Sequence, residues 1–331
     1  MKVLFWGTPA YAVPSLEALF EAGHQLVGVV TQPDRRRGRG SALIPSPVKA
    51  RSLDLAPDVP VFTPQRIRRD PQMQAELAAL GADISVVVAF GQLLPPEVLQ
   101  QPPFGCWNGH GSLLPRWRGA GPIQWSLIEG DSETGVGIMA MEVGLDTGPV
   151  LLERTLPIGL LDTAADLSGR LSALTAELPV EALPRIEAAG PGPEAERLAR
   201  LQIRRQGDEG ITLARLLTKE DYRIDWNGRA LAIHRRIMGL HPGAYCMWSG
   251  KRLKLLATEP LVLRLAAQLS PDAAELSRRD WPKVEPGSVL ERVRGVGLVI
   301  ATRGCPLLLR SAQLEGKGPT SGDGLIQQLN A

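Results

Sequence analysis

Apolar and polar positions along this chain follow two rhythms. "KVLFWG" and "HQLVGVVT" are short apolar runs rich in β-branched residues and ended by turn residues, the pattern of buried strands. Between them, "AVPSLEALFEAG" spaces its apolar residues helically, with Gly23 as the C-terminal stop. "MQAELAALG" repeats the helical rhythm and "ISVVVAF" the strand rhythm. Strand, helix, strand, helix, strand predicts a parallel sheet covered on both faces, with ligands at the carboxyl ends of its strands. Gly91, Asn108 and His110 fall where such ends are expected. "TGVGIMAMEVGLDTGPVL" adds an apolar strand that stops at "GLDTG".

From Ala188 to Glu209 the composition turns to glycine, proline and alternating charge, which predicts a linker over 189–209 with one short helix inside it. It separates residues 1–188 from 210–331. In the second part, "ALAIHRRIMGL" reads as a helix. "AYCMW", "RLKLLAT", "GVGLVIAT" and "PLLLRSAQL" read as short strands between glycine turns, the signature of a small barrel or sandwich. "SPDAAELSRRDWPKVEPG", 270–287, reads as a polar surface insertion.

With 331 residues, 44% hydrophobic and 22% charged, the chain matches ordinary globular proteins and is long enough for two cores. Its opening apolar run is too short for a signal peptide, and no run is long enough to span a bilayer. Cys106, Cys246 and Cys305 fit neither a disulfide framework nor a zinc knuckle, so a reducing, cytoplasmic setting is expected. The net charge of +2 hides an asymmetry. Residues 1–200 hold 17 basic and 22 acidic residues and the remainder 20 and 13, a net of −5 against +7. A basic second half favours a polyanionic partner. The first strand turns through "GTPAYAVP" rather than G-x-G-x-x-G, and no P-loop occurs, so NAD and ATP are rejected as cofactors.

The chain has four histidines. His24 at a helix end and His234 beside two arginines are expected to be solvated, and His241 precedes Pro242 in a loop. His110 lies among glycines after a buried strand, in "WNGHGSLLPRWRGAGPIQ". A strand sets residues i and i+2 on one face, so Asn108 and His110 would share a space, although Gly109 and Gly111 are expected to loosen the strand. Asp146, in "GLDTG", is an acid in a glycine-rich turn at another strand end. A carboxylate there would orient the imidazole, and an amide would offer a neutral donor to a developing oxyanion. No G-x-S-x-G elbow supplies a covalent nucleophile. A histidine satisfied within the core and an Asx-turn at Asp146 would explain the same residues.

"NGHGSLLPRWRGAGPIQ" with "GLDTG" resembles the folate-dependent formyltransferases, whose pattern is Asn-x-His-x-Ser-Leu-Leu-Pro, then Arg-Gly, then Leu-Asp-Thr-Gly. The similarity extends to "FWGTPAYAVPSLEAL", "VVTQPDRRRGRG" with "PSPVK", "VVAFGQLLP", "GITLARLLTKEDYRIDW" and "HPGAY", nearly the whole chain. The resemblance implies an α/β N-terminal domain with a Rossmann-like, mostly parallel sheet and a C-terminal OB-like β-barrel domain that binds tRNA. It implies transfer of a formyl group from 10-formyltetrahydrofolate to the amino group of methionine on initiator tRNA, by a cytoplasmic monomer without a metal. Asn108, His110 and Asp146 match the catalytic triad. Ser112, Leu113, Leu114 and Pro115 match the folate-binding segment, and Phe90, Gly91, Gln92 and Leu93 would edge the pterin pocket. Arg35, Arg36, Arg37 and Arg39, with Lys49, lie in a loop that resembles an arm for the tRNA acceptor stem. Lys251, Arg252 and Lys254 are tRNA candidates on one hairpin. Two other readings stay open: a formyltransferase acting on a small amine such as a nucleotide sugar, and a non-catalytic RNA-binding protein.

Overall fold

A computed structural model describes residues 1–36 and 42–330. Arg37 and Arg39 of the basic loop lie outside the described residues. The chain forms two compact units. The first comprises Met1–Pro122, Thr134–Leu156 and Ser168–Arg215; the second comprises Ile123–Glu133, Pro157–Leu167 and Leu216–Ala331. The stretch read as a linker contains the helix Glu194–Leu201 and stays with the first unit. No described helix is long and apolar enough to cross a membrane.

The first unit is built on a seven-stranded sheet in the order Val150–Pro157, Glu133–Ala140, Cys106–His110, Ile84–Val88, Lys2–Gly7, Gln25–Val30, Val61–Phe62. The last five strands pair in parallel, and Glu133–Ala140 runs antiparallel to Cys106–His110. Val3, Phe5, Val29, Val30, Ile84 and Val88 are fully buried, as strands covered on both faces require. Register places Gly7 beside Val88, and Val87 beside Asn108. Thr8, Ala89–Gly91 and Asn108–His110 therefore gather at the carboxyl ends of three neighbouring strands.

Local chemistry fixes the helices. Gly23, at φ +80°, ends Val13–Glu21 in the left-handed conformation that glycine adopts without strain. Pro47 and Pro71 open their helices after Ser46 and Asp70, whose side chains accept from Lys49 N and Met73 N.

The second unit is a six-stranded antiparallel sheet with the order Tyr245–Trp248, Lys251–Pro260, Leu307–Leu314, Gly297–Ile300, Val289–Val293, and Thr320–Ser321 beside Leu307–Leu314. One face packs Leu253, Leu255, Leu298 and Leu309 against Ile233 and Ile237 of the helix Ala230–Gly239 and Leu325 of the last helix.

Two expectations change here. The 270–287 segment is more than polar surface. Its helix Pro271–Leu276, capped by Ser270, buries Ala273 and Leu276 with Val299 and Leu308 on the other face of the sheet, and Trp281 packs against them. Few of its residues are apolar, and a six-residue helix is too short to show a period. His234 is fully buried rather than solvated. Its Nε2 lies 2.8 Å from the Leu160 carbonyl and its Nδ1 3.0 Å from Thr258 Oγ1. A carbonyl only accepts, so Nε2 carries the proton and Nδ1 accepts from the threonine. Burial pushes the imidazole down to about 4.

Candidate active site

The strand Cys106–His110 sets Asn108 and His110 on one face, with Gly109 between them facing the other way. Gly109 does not loosen this strand; it admits a neighbour. A Cβ there would sit 2.8 Å from Thr175 Cγ2, on the helix Ala164–Ala189. Thr175 cannot easily turn aside. Its hydroxyl donates to Leu171 O at 2.7 Å, so Tyr11 OH, 2.6 Å away, must donate to it.

Asp146 reaches the pair from the loop that follows the strand Glu133–Ala140. Its Oδ2 lies 3.7 Å from His110 Nδ1 and its Oδ1 3.5 Å from Asn108 Nδ2. Neither contact is short. The firm partner is Gly119, whose N–H donates to Oδ2 at 2.7 Å. The carboxylate therefore serves a neighbouring segment rather than an Asx-turn in its own loop. Asp146 stands at φ +51°, a conformation that costs a non-glycine residue about 1–2 kcal/mol, and such backbone collects at functional sites. His110 is 6% and the Asp146 side chain 13% exposed, so the group is largely withdrawn from bulk water while Asn108 stays half-buried. His110 Nε2 lies 3.0 Å from the Trp117 carbonyl, which assigns the proton to Nε2 and turns Nδ1 toward Asp146. An amide donor, a carboxylate and an oriented imidazole thus converge at a strand end, the components that addition of an amine to a carbonyl-level carbon requires.

Residues 1–183 match the formyl transferase family and residues 216–330 match the formyl transferase C-terminal domain. The chain belongs to the formyl transferase family. It is 78% identical to a methionyl-tRNA formyltransferase of Synechococcus sp. strain RCC307, over the full length of both. It is 58% identical to one of Prochlorococcus marinus strain MIT 9303, with 99% of this chain and 96% of the relative covered. Among solved structures, the fold is similar to an N-formyltransferase from Helicobacter canadensis in complex with folinic acid and dTDP-3-aminofucose (TM-score 0.61, 15% identity, 93% of this chain and 98% of that one). HypX from Aquifex aeolicus in complex with tetrahydrofolic acid is similar at TM-score 0.62 and 16% identity, over 99% of this chain and 47% of HypX.

In this formyl transferase the other site candidates fall into distinct environments. Ser112 and Leu114 turn inward. Ser112 Oγ donates to Arg116 O, and Leu114 packs with Met139 and Val150. Leu113 and Pro115 are half-buried. Phe90 is buried edge-on against Trp6, and its carbonyl accepts from Thr8 Oγ1 and Gln32 Nε2. Ala89 and Gly91 both have positive φ, and with Thr8, Gln32, Arg35 and Ile44 they line a cleft of about 310 Å³. Gln92 braces the backbone of Pro64 and Ile67, while Leu93 is 48% exposed.

Arg35 and Arg36 are exposed and pair with Ile44 and Leu43 in a short antiparallel hairpin. Lys49 is taken up by Asp34, with Nζ 2.8 Å from Oδ2, so it ties down the base of the loop. In the second unit, Arg252 and Lys254 alternate with the buried Leu253 and share the outer face with Tyr245 and Met247. Arg252 stacks 4.4 Å over the Tyr245 ring. Lys251, also exposed, lies at the hairpin turn opposite Trp248.

The sequence reading missed the support of the site. Gln206, within the stretch read as linker, donates to the carbonyls of Asp146 and Gly148 at 2.9 and 2.6 Å, and its Oε1 accepts two bonds from Arg118. Thr212 Oγ1 accepts from Trp117 N at 2.8 Å, and Leu213–Ala214 pairs in parallel with Arg118–Gly119. These partners lie 58 to 95 positions apart in the chain, beyond the reach of any local pattern.

Proposed function

We propose that this protein transfers the formyl group of 10-formyltetrahydrofolate to the amino group of methionyl initiator tRNA, in the cytoplasm. The observation that carries the reading is the cluster of Asn108, His110 and Asp146 within hydrogen-bond and ion-pair reach in a chain 78% identical, end to end, to a methionyl-tRNA formyltransferase.

The cleft beside Phe90 and Gly91 offers backbone edges, a threonine hydroxyl and a glutamine amide around an apolar wall, which suits a flat, hydrogen-bonding heterocycle. The reduced folate supplies a formyl carbon activated by its nitrogen leaving group. One N–H of Asn108 faces Asp146, and the other is available to the formyl oxygen as charge develops there. Asp146 Oδ1 accepts the proton the amine sheds as the new carbon–nitrogen bond forms, and can return it to the departing nitrogen. His110, tethered by donation from Nε2 to the Trp117 carbonyl, turns Nδ1 toward Asp146 Oδ2 and supports that carboxylate when Nδ1 also carries a proton. The basic residues of the arm and of the second unit provide the cations that hold an RNA backbone.

A labelled formyl-transfer assay with charged initiator tRNA tests the reading; folded protein that transfers nothing would end it. Asn108→Ala is expected to reduce turnover ~10²–10³-fold, as loss of one oxyanion donor does, while tRNA affinity stays within twofold. A nucleotide-sugar acceptor is disfavoured by the +7 balance beyond residue 200. It would be recognised by acceptor binding that barely responds to salt.

A further inference from the structure

A second cavity lies wholly within the second unit. It has a volume of about 870 Å³ and is lined by six arginines: Arg223, Arg229, Arg235, Arg236, Arg264 and Arg303. Glu129 and Asp225 are the acids on its wall, which leaves a surplus of four positive charges. Arg236 is engaged with Asp221 at 3.3 Å. Arg229, Arg264 and Arg303 are exposed and have no ion-pair partner among the described residues. Gathering like charges without counter-ions is unfavourable unless an anion relieves it. The floor is apolar, formed by Ile128, Ile224, Ile233 and Val262.

Backbone adds to the attraction. The helix Ala230–Gly239 begins at this cleft, and its first intrahelical bond runs from Ile233 N to Arg229 O. The N–H groups of Ala230–Ala232 therefore precede any helical partner, and Arg229 gives no side-chain cap. Arg303 N donates to Gly228 O, which ties the loop carrying Arg303 and Gly304 to the start of that helix.

We propose that this cleft binds a phosphorylated nucleotide unit, its base against the isoleucine and valine floor and its phosphates on Arg229, Arg264 and Arg303. A volume near 870 Å³ falls within the ~300–1,000 Å³ of small-molecule pockets and exceeds what a lone phosphate would fill. The source of the unit is the RNA chain of the substrate, and to that extent the inference rests on the function proposed above. The three arginines come from separate segments and stay exposed, an arrangement that follows a backbone rather than enclosing a free di- or triphosphate. The cleft is distinct from the outer hairpin face that carries Arg252 and Lys254.

The test uses the full chain with Arg229→Gln, Arg264→Gln and Arg303→Gln combined, positions whose exposed side chains form no hydrogen bond or ion pair among the described residues. Binding of initiator tRNA is followed by anisotropy across a salt series. The triple variant should bind at least ~10-fold more weakly at low salt. Its slope of log affinity against log salt should flatten by about 2, since each lost phosphate contact removes ~0.7–0.9. Turnover at saturating tRNA should be unchanged, and the corresponding triple lysine variant should keep the wild-type slope. An unchanged affinity and slope, in a preparation whose wild type formylates normally, overturns the cleft proposal and leaves the proposed function standing. A wild type that neither binds tRNA nor transfers formyl overturns the function itself. ADP binding by equilibrium dialysis forms a second arm. Binding lost in the triple glutamine variant, with tRNA affinity intact, would overturn the RNA source and leave a free-nucleotide site.

Discussion

Gly109→Ala tests the site through its geometry rather than its chemistry. The new methyl group would lie 2.8 Å from Thr175 Cγ2, whereas contacting carbons settle ~3.5–4.0 Å apart. The strand and helix must therefore part by about 1 Å. Thr175 cannot rotate away without releasing Leu171 O and Tyr11 OH, so the movement falls on the strand that holds Asn108 and His110. Overpacking of this kind costs about 1–3 kcal/mol, and a displacement of that size at reacting groups can cost ~10²-fold in turnover. Urea denaturation and formyl transfer at saturating substrates would read the two effects. Thr175→Ser removes the obstructing methyl and keeps the hydroxyl, so the double variant should recover most of both losses. A Gly109→Ala protein with wild-type midpoint and turnover, or a double variant no better than the single, would show that Thr175 does not confine the strand at Gly109.

Two further expectations concern the surroundings of the site and the second core. Gln206→Ala frees the carbonyls of Asp146 and Gly148 and should lower turnover about 10-fold, with a stability loss of about 1–3 kcal/mol from the unsatisfied groups; steady-state kinetics and denaturant midpoints check it, and unchanged turnover would remove Gln206 from the support of Asp146. His234 titrates near 4 when folded, against 6.5 for the free side chain, so above pH 6.5 both states are neutral and it has no effect on stability. As pH falls from 6.5 toward 4 the unfolded chain takes up a proton that the folded chain refuses, and by pH 4.5 the loss reaches about 2–3 kcal/mol. The drop in stability between pH 7 and 4.5 should be smaller by that amount in His234→Gln, and an equal drop in both proteins would contradict the buried neutral imidazole.

Much of the architecture follows from local pattern. Apolar runs of strand length between amphipathic segments specify a covered parallel sheet, because such strands have no polar face to turn to water. Gly23, Ser46 and Asp70 fix helix ends by conformation and capping alone. Asn108 and His110 share a face because strand geometry requires it, so that half of the candidate site is also written locally. What the sequence could not decide are the relations among distant segments. Asp146 meets His110 across 36 positions and Gln206 meets Asp146 across 60. The environment of His234 depends on Leu160 and Thr258, and that of Lys49 on Asp34. A side chain's charge state, exposure and partners are set by what packs against it, and a linear pattern carries only its own neighbours. Local pattern thus specifies the elements and the Asn108–His110 half of the site, whereas long-range packing selects the carboxylate that joins them and, separately, the arginines that line one cleft of the second unit.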